Sequence, residues 1–205
     1  MRAVTSNSLA DFAGIYDADV ELVSVTPTKG PLMSDVAELS RHAIKARWSQ
    51  TPGDRAVTED QVHRAIESEA SRCLVEEINT ATQLMADLLG CTGVGIRVAT
   101  LNGPMCPKFH VDYVPCRMIM TLMGPGTEWI AHDEVDRDAF EGRTNETIPV
   151  VEGKDVRHLQ SGSWTLMKGG TWADDLFHGV VHRSPHYTGD RLLVSIDPMF
   201  SKADA

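Results

Sequence analysis

The stretch Cys106-Pro107-Lys108-Phe109-His110-Val111-Asp112-Tyr113 places a histidine and a carboxylate two residues apart in a segment that we interpret as a strand. Successive side chains of a strand point to opposite faces, so His110 and Asp112 project from the same face and can bind one ion. Imidazole and carboxylate ligands together suit iron, manganese or zinc. The stretch therefore predicts a metal-binding strand.

A later stretch, Gly179-Val180-Val181-His182-Arg183-Ser184-Pro185, offers a second imidazole at the point where a strand enters the core. Two histidines and one carboxylate form a facial triad that leaves coordination positions open, as in non-haem Fe(II) oxygenases. We predict His182 as the third ligand. His178 and His186, four residues to either side, remain alternatives.

Arg191 follows the third predicted ligand by nine residues, after a turn and at the start of a buried strand. Its planar fork can pair bidentately with the carboxylate of a co-substrate. Ser195 lies on the same strand face and can add a hydroxyl hydrogen bond. Two alternatives stay open: a structural salt bridge from this arginine to Asp112 or Asp197, and an anion held instead by Arg117 or Arg183.

The order of HxD, a distant histidine and an arginine on the last strand resembles the double-stranded β-helix dioxygenases that use Fe(II) and 2-oxoglutarate. A closer resemblance lies in FHVDYVPCRMIMTLMGPGTEWI (109–130), LMKGGTW (166–172) and VVHRSPHYTGDRLLVSID (180–197). These stretches are similar to a bacterial family, domain of unknown function 1826, and the likeness extends from about Leu9 to Pro198.

The dioxygenase resemblance implies an α+β fold, with N-terminal helices packed on a double-stranded β-helix (jelly-roll or cupin-like) core. It also implies an oxygenase of unknown substrate, with Fe(II) on His110, Asp112 and His182 and with 2-oxoglutarate on Arg191. Genes of the family lie near zinc-homeostasis genes, which implies the alternative of a zinc-binding protein that uses the same triad. A zinc hydrolase is a third reading, although no general base stands out.

The composition of the 205 residues, 42% hydrophobic and 23% charged, is that of an ordinary globular protein, and we expect one domain over residues 1–205. A formal charge of −10 argues against a nucleic-acid partner. No apolar run is long enough to span a bilayer and no leader pattern is present, so we predict a cytoplasmic protein without a membrane partner. The four cysteines, without CxxC pairing, favour reduced thiols.

Residues 1–90 are predicted to be mainly helical. We expect disorder over residues 1–8, a short strand at 20–25, a helix from Ser34 to Ser49, and one or two helices from Thr58 to Leu88 that stop at Gly90. Short apolar segments between Gly and Pro predict a β-rich metal-binding core over 91–200. Its strands are predicted at 95–101, 108–111, 116–123, 156–159, 164–168, 179–182 and 191–198, and the acidic segment 131–149 is predicted to be an exposed loop or lid.

Further side chains are candidates for the wall of the pocket. Cys106 is either a thiolate ligand that would favour zinc or a small buried residue. The turn that begins at Gly124 either carries polar and aromatic side chains toward the pocket mouth or simply packs a tryptophan. Lys168 ends a strand and faces either the pocket or solvent. The full set of candidates is Cys106, Tyr113, Arg117, Thr127, Glu128, Trp129, Lys168 and Arg183.

Overall fold

The computed structural model describes residues 1–31, 33–173 and 179–201. The described residues form ten strands, four α-helices and two short 3-10 helices. The strands are β1 (Arg2–Ser6), β2 (Val20–Val25), β3 (Lys45–Gln50), β4 (Gly93–Leu101), β5 (Cys116–Met123), β6 (Glu128–Ile130), β7 (Arg157–His158), β8 (Trp164–Lys168), β9 (Val181–Arg183) and β10 (Arg191–Met199). The α-helices are α1 (Met33–Leu39), α2 (Arg55–Ala65), α3 (Ser71–Leu89) and α4 (Arg137–Glu141), and the 3-10 helices are Leu9–Tyr16 and His132–Glu134.

The strands form a major sheet of seven strands, in the order β1-β2-β8-β5-β10-β4-β3, and a minor sheet of three, in the order β7-β6-β9. Strands β1 and β2 run parallel, and the other named pairs are antiparallel. An apolar cluster joins the inner face of the major sheet to the minor sheet. This cluster contains Leu22, Ile119, Trp129, Ala131, Leu159, Met167, Val180 and Leu193.

The outer face of the major sheet packs against the helices. Leu74, Ile78, Ala81 and Met85 form one buried stripe on α3, because residues three or four apart share a helix face. They belong to the largest apolar cluster, which also holds Val94, Ile96, Val98 and Ile196 of the major sheet. Gly90 ends α3 in the left-handed conformation, as predicted. This shared core supports the prediction of one domain, which stays a prediction.

The predicted helix from Ser34 to Ser49 is wrong. Helix α1 ends at Leu39, and residues 45–50 form strand β3, antiparallel to β4. Ala46 and Trp48 pack against the helical core, whereas Lys45, Arg47 and Ser49 are exposed. This alternation has the period of a strand, and pairing with β4 overrides the helical spacing of the apolar residues.

Two other expectations for the N-terminal part need correction. Residues 2–6, expected to be disordered, form β1 beside β2, so residues 1–90 contribute three strands of the major sheet as well as helices. The predicted region from Thr58 to Leu88 consists of two helices, α2 and α3. Asp54 begins α2 by accepting a hydrogen bond from the Val57 amide at 3.1 Å, so this helix starts earlier than Thr58.

Most strands predicted in the β-rich part are confirmed within a few residues, as β4, β5, β7, β8, β9 and β10. The exception is 108–111, where only His110 forms an isolated bridge, with His182. The acidic segment 131–149 contains α4 and a 3-10 helix. Within the described ranges, no helix combines the length and the apolar character that crossing a membrane requires.

Candidate metal centre

Three polar side chains from two distant parts of the chain meet beside the minor sheet. Their potential ligand atoms, on His110, Asp112 and His182, all lie within 4.8 Å of one another. The Nε2 atom of His182 lies 3.2 Å from Asp112 Oδ2, and the Nε2 atom of His110 lies 3.6 Å from Asp112 Oδ1. Two histidines and a carboxylate thus converge at a spacing that one ion can span.

The main chain fixes how these side chains meet. His110 and His182 exchange two backbone hydrogen bonds of 2.9 Å, each amide donating to the other residue's carbonyl. The two rings lie side by side, with centroids 4.5 Å apart. On the other side of the site, the Gly170 amide donates to the Asp112 carbonyl at 2.9 Å. The segment that carries the first two candidate ligands is therefore held from both sides.

Both imidazoles present the same nitrogen to the site. The Nδ1 atom of His110 lies 2.9 Å from the Lys108 carbonyl oxygen, and that of His182 lies 2.9 Å from the Val180 carbonyl oxygen. A carbonyl only accepts hydrogen bonds, so in each ring Nδ1 carries the proton and, in the neutral ring, Nε2 keeps a free lone pair. Such a bond at the far nitrogen is the usual support of a metal-ligating histidine.

Asp112 has one engaged and one free oxygen. Its Oδ1 atom lies 2.7 Å from a terminal nitrogen of Arg117, whereas its buried Oδ2 atom has no hydrogen-bond partner among the described residues. Burial raises the pKa of Asp112, but its interactions with His110, His182 and Arg117 outweigh this effect and hold the pKa well below its usual range. The carboxylate is therefore ionised and has a lone pair directed at the two imidazoles.

This donor set fits a divalent metal ion. Two imidazole nitrogens and one carboxylate oxygen are ligands of iron and zinc, and a buried carboxylate oxygen without a partner is costly unless something binds it. Cys106 lies outside the cluster of potential ligand atoms. The alternative third ligand His186 is exposed and also lies outside the cluster, and His178 lies outside the described residues.

Arg191 is a buried cation without a carboxylate partner among the described residues. Only 3% of its surface is exposed, and burial lowers the pKa of its guanidinium to about 10. It donates to the Pro125 carbonyl at 2.8 Å and to the Thr127 hydroxyl at 2.9 Å. Since a buried charge is costly when uncompensated, this guanidinium is suited to bind an anion.

The two other arginines considered as anion partners are already paired. Arg117 forms a two-pronged ion pair with Asp197, at 2.6 and 2.8 Å, in addition to its contact with Asp112. Arg183 donates to Glu128 at 2.6 Å. The salt bridge considered for Arg191 with Asp112 or Asp197 is therefore made by Arg117 instead.

One narrow cavity joins the metal cluster to this unpaired guanidinium. His110 and His182 line one part of it, and Arg191, Thr127 and Ser195 line another. Successive residues of a strand alternate between faces, so Arg191, Leu193 and Ser195 all point into the cavity from β10. The remaining lining residues are Arg97, Met105, Cys106, Arg117, Ile119 and Ser184.

The turn between β5 and β6 requires two glycines to reach Arg191. Gly124 has φ of +83°, and a Cβ atom there would lie 2.8 Å from the Asp190 carbonyl oxygen. A Cβ atom on Gly126 would lie 1.8 Å from the Leu159 carbonyl oxygen, closer than any real contact. Glycine is needed at both positions, and the turn thereby brings the Pro125 carbonyl and Thr127 onto Arg191.

Other pocket candidates lie elsewhere. Tyr113 is 78% exposed, and Trp129 is buried in the cluster between the sheets. Lys168 faces neither the metal cavity nor solvent, because it is buried on the helical side and donates to the Asp17 carbonyl at 3.0 Å. Glu128 is occupied by Arg183. The predictions that these residues line the pocket are therefore not supported, whereas Cys106, Arg117 and Thr127 do line it.

The sequence reasoning did not identify Arg97, Ile119, Ser184 or Thr121 as residues of this region. Arg97 and Ile119 line the cavity, and the Thr121 hydroxyl lies 3.4 Å from Arg191. Strand alternation could have identified Ile119 and Thr121. On β5 these residues alternate with the core residues Met118 and Met120, so they face the inner side of the sheet. Alternation alone does not predict that β4 pairs with β10, and this pairing brings Arg97 to the cavity.

Solved structures share this architecture. The dioxygenase for auxin oxidation from rice superposes with a TM-score of 0.58 at 14% identity, over 100% of this chain and 84% of that one. Dioxygenase for auxin oxidation 1 from Arabidopsis thaliana, in complex with 2-oxoglutarate, gives 0.52 at 9% identity, over 99% and 94%. The Kdo hydroxylase KdoO, a non-haem Fe(II) α-ketoglutarate-dependent dioxygenase with bound succinate and Fe(III), gives 0.50 at 10% identity, over 97% and 89%.

These likenesses define the class of fold: this chain has the double-stranded β-helix fold of Fe(II)- and 2-oxoglutarate-dependent oxygenases, and the predicted α+β fold is confirmed. The chain belongs to the family of proteins of unknown function DUF1826, whose profile matches residues 6–197. The family resemblance seen in the sequence is thus confirmed. A search of curated proteins found no match.

Proposed function

We propose that this protein is a mononuclear non-haem Fe(II)- and 2-oxoglutarate-dependent oxygenase. The observation that carries the proposal is that one cavity joins a His-Asp-His cluster to a buried arginine without a carboxylate partner among the described residues. Each half alone has another explanation, because the cluster suits several metals and buried arginines are also structural. Together they match the two needs of a metal that binds a dicarboxylate co-substrate.

In this proposal, His110, Asp112 and His182 hold the metal through the two Nε2 atoms and Oδ2. Iron bound there supplies the oxidative chemistry that is coupled to decarboxylation of 2-oxoglutarate to succinate. The Lys108 and Val180 carbonyls keep both imidazoles in the ligating tautomer, and Arg117 keeps the carboxylate ionised and oriented.

Arg191 would bind the distal carboxylate of 2-oxoglutarate. Its guanidinium presents paired donors in one plane, which match the two oxygens of a carboxylate. The Pro125 carbonyl and the Thr127 hydroxyl accept hydrogen bonds from the guanidinium and hold it in place. Ser195, on the same face of β10, is close enough to the cavity to add a hydrogen bond from its hydroxyl.

The test is an anaerobic titration of metal-free protein with Fe(II) and then with 2-oxoglutarate. We expect the weak visible absorption band of 2-oxoglutarate chelated to Fe(II), and we expect Arg191→Ala to abolish it. Lys168→Met is the matched control, because Lys168 is a buried cation of the same sheet on the opposite face. The proposal fails if the band is absent from the wild type, or if it persists unchanged in Arg191→Ala.

Zinc handling remains the alternative, because zinc generally binds such ligands more tightly than ferrous iron does. Elemental analysis of protein purified without chelator distinguishes the two. Zinc that is tightly held and unaffected by 2-oxoglutarate would support storage or delivery of the ion. The position of Cys106 outside the cluster weakens this alternative, since no thiolate among the described residues adds zinc preference to the site.

The remaining sequence predictions also stay proposals. They are a small-molecule co-substrate as partner, no partner among nucleic acids or membranes, and a cytoplasmic location.

A further inference from the structure

Two arginines face each other across the edge of the major sheet. In the antiparallel pairing of β3 with β4, Arg47 is the direct partner of Arg97. Side chains directly opposite in such a pair have Cβ atoms about 4.5–5.5 Å apart, so like charges there destabilise the sheet. Arg47 is exposed, so water screens part of this repulsion, and an anion between the two side chains would relieve the rest.

The described protein residues supply little compensation. The contact recorded for the Arg97 guanidinium is a hydrogen bond of 3.0 Å to the Met105 sulfur, and a thioether is only a weak acceptor. The Arg47 side chain has no hydrogen bond or ion pair with a described residue, and neither does Lys45, two positions earlier on the same face. Three cations thus share one face of this edge, in a chain whose formal charge is −10.

The arginine pair lies beside the candidate metal centre. Across the sheet, Arg47 is paired with Arg97, and Arg97 in turn is paired with Ser195 of β10. Arg97 and Ser195 line both the metal cavity and a neighbouring groove of about 350 Å³, which Arg47 also lines. The groove thus continues from the metal cavity to the edge strand.

Apolar side chains also lie beside the two arginines. A second hollow, with Arg47 and Arg97 in its wall, is lined by Ala99, Leu101 and Met105. Asp197 also lines the groove, but both of its oxygens are taken up by Arg117, at 2.6 and 2.8 Å. The groove therefore offers two guanidinium groups that no described carboxylate pairs with, next to an apolar patch.

We propose that Arg47 and Arg97 bind the anionic group, a carboxylate or a phosphate, of a small substrate whose apolar part lies against Leu101 and Met105. This inference rests on the proposed function in taking the adjoining metal cavity as the site of reaction. It assigns the substrate class that the proposed function leaves open. An anion between the two guanidinium groups would remove their repulsion and use the paired donors of both.

The test uses metal-free full-length protein and two probes of equal chain length, hexanoate and hexanol, with inorganic phosphate as a third. We expect saturable calorimetric binding of hexanoate, at least tenfold weaker binding of hexanol, and at least tenfold weaker hexanoate binding in Arg97→Gln and in Arg47→Gln. Arg64→Gln is the matched control, because Arg64 is an exposed arginine on α2, remote from the groove, and should bind hexanoate as the wild type does.

A second variant separates this inference from the proposed function. Hexanoate binding that persists in Arg191→Met and is lost in Arg97→Gln supports the arginine pair, whatever becomes of the 2-oxoglutarate titration. Binding that is lost only in Arg191→Met would overturn the inference, because the probe would then occupy the co-substrate position. Equal affinities for hexanoate and hexanol, or no saturable binding of hexanoate or phosphate, would overturn it as well.

The stability of the variants gives an independent readout that does not depend on the probe's apolar part. In a double-mutant cycle of Arg47→Gln and Arg97→Gln at low salt, we expect the coupling between the two arginines to be repulsive. Added phosphate should reduce this repulsion. A coupling that is absent, or that phosphate leaves unchanged, would show that no anion binds between the two side chains.

Discussion

On one face of β10, Leu192, Val194 and Ile196 are fully buried against the helical layer, whereas on the other face Arg191 and Ser195 line the metal cavity. Nine residues of one strand thus belong to two different environments. The outer face contributes to stability through apolar burial, about 25 cal/mol for each Å². The inner face holds a charge that the described residues do not neutralise. The contrast indicates that the inner face is shaped for a ligand and the outer face for folding.

The largest effect is expected when a candidate metal ligand is removed from the cavity side. We expect Asp112→Ala to weaken metal binding by more than about 100-fold. The reason is that loss of a ligand should weaken binding more than loss of a hydrogen bond that supports a ligand. His110→Ala should act likewise, and both variants should stay folded. The measurement is metal stoichiometry after purification and dialysis.

Asp155→Ala, at an exposed acid away from the site, is the control and should keep full metal occupancy. Full occupancy in both ligand variants would remove the basis for assigning the site.

The next substitution removes an apolar side chain from the outer face of β10. Ile196→Ala should lower the free energy of unfolding by about 2–5 kcal/mol, because it leaves a cavity in a fully buried cluster. The affinity of the folded fraction for metal should remain that of the wild type. Denaturant unfolding followed by a metal titration checks both. A variant that keeps its stability but loses metal would show that the two faces are not separable in this way.

The partly buried Arg117 and the buried Arg191 allow a comparison within the inner face. Arg117→Met leaves the carboxylates of Asp112 and Asp197 without their cation, so we expect this variant to destabilise the metal-free protein by about 2 kcal/mol or more. Arg191→Met removes a charge that no described carboxylate balances, so its cost should stay within about 1 kcal/mol.

Thermal unfolding of both variants without metal tests this contrast. If Arg191→Met were the more destabilising of the two, Arg191 would be a structural residue and its assignment to the co-substrate would lose support.

Acid should weaken metal binding on the cavity side. Burial lowers the pKa of His110, but the Asp112 carboxylate beside Nε2 and the hydrogen bond from Nδ1 to the Lys108 carbonyl raise it by more, so the pKa lies above the usual value of 6.5. Below that pKa a proton occupies Nε2 and competes with the metal. Affinity should therefore fall by up to about tenfold for each pH unit below the pKa and level off above it.

Zinc or manganese titrations across this range measure the slope. His186→Ala, which changes an exposed histidine, should leave the profile unchanged. A profile that is flat through the pKa of His110 would argue against Nε2 of His110 as a ligand.

The smallest expected effect concerns Ser195. Its hydroxyl would add one hydrogen bond to a co-substrate held mainly by Arg191, so Ser195→Ala should weaken 2-oxoglutarate binding by roughly three- to tenfold. The Fe(II) titration described above measures this. Ser49→Ala, at an exposed serine of β3, is the control. If Ser195→Ala weakened 2-oxoglutarate binding as much as Arg191→Ala does, the co-substrate would not be held mainly by Arg191.

Patterns within a single segment carried most of the correct predictions. The apolar stripe of α3, the stop at Gly90 and the strands of the β-rich part follow from local periodicity and turn residues. His110 and Asp112 were predicted as one site from strand alternation, and their side chains do meet, although only His110 forms a bridge there. Trp48 shows the limit of such patterns, since its apolar spacing allowed a helix until pairing with β4 made it a strand.

The amino-acid sequence alone was sufficient to predict the residue types of the candidate metal site, their order and the family. Which charges are compensated became clear only from the fold, because ion pairs depend on distances between segments that lie far apart in the chain. It paired Arg117 with Asp197, 80 residues away, and left Arg191 without a carboxylate among the described residues. It also placed Arg47 opposite Arg97 through sheet register, which no spacing along the chain specifies.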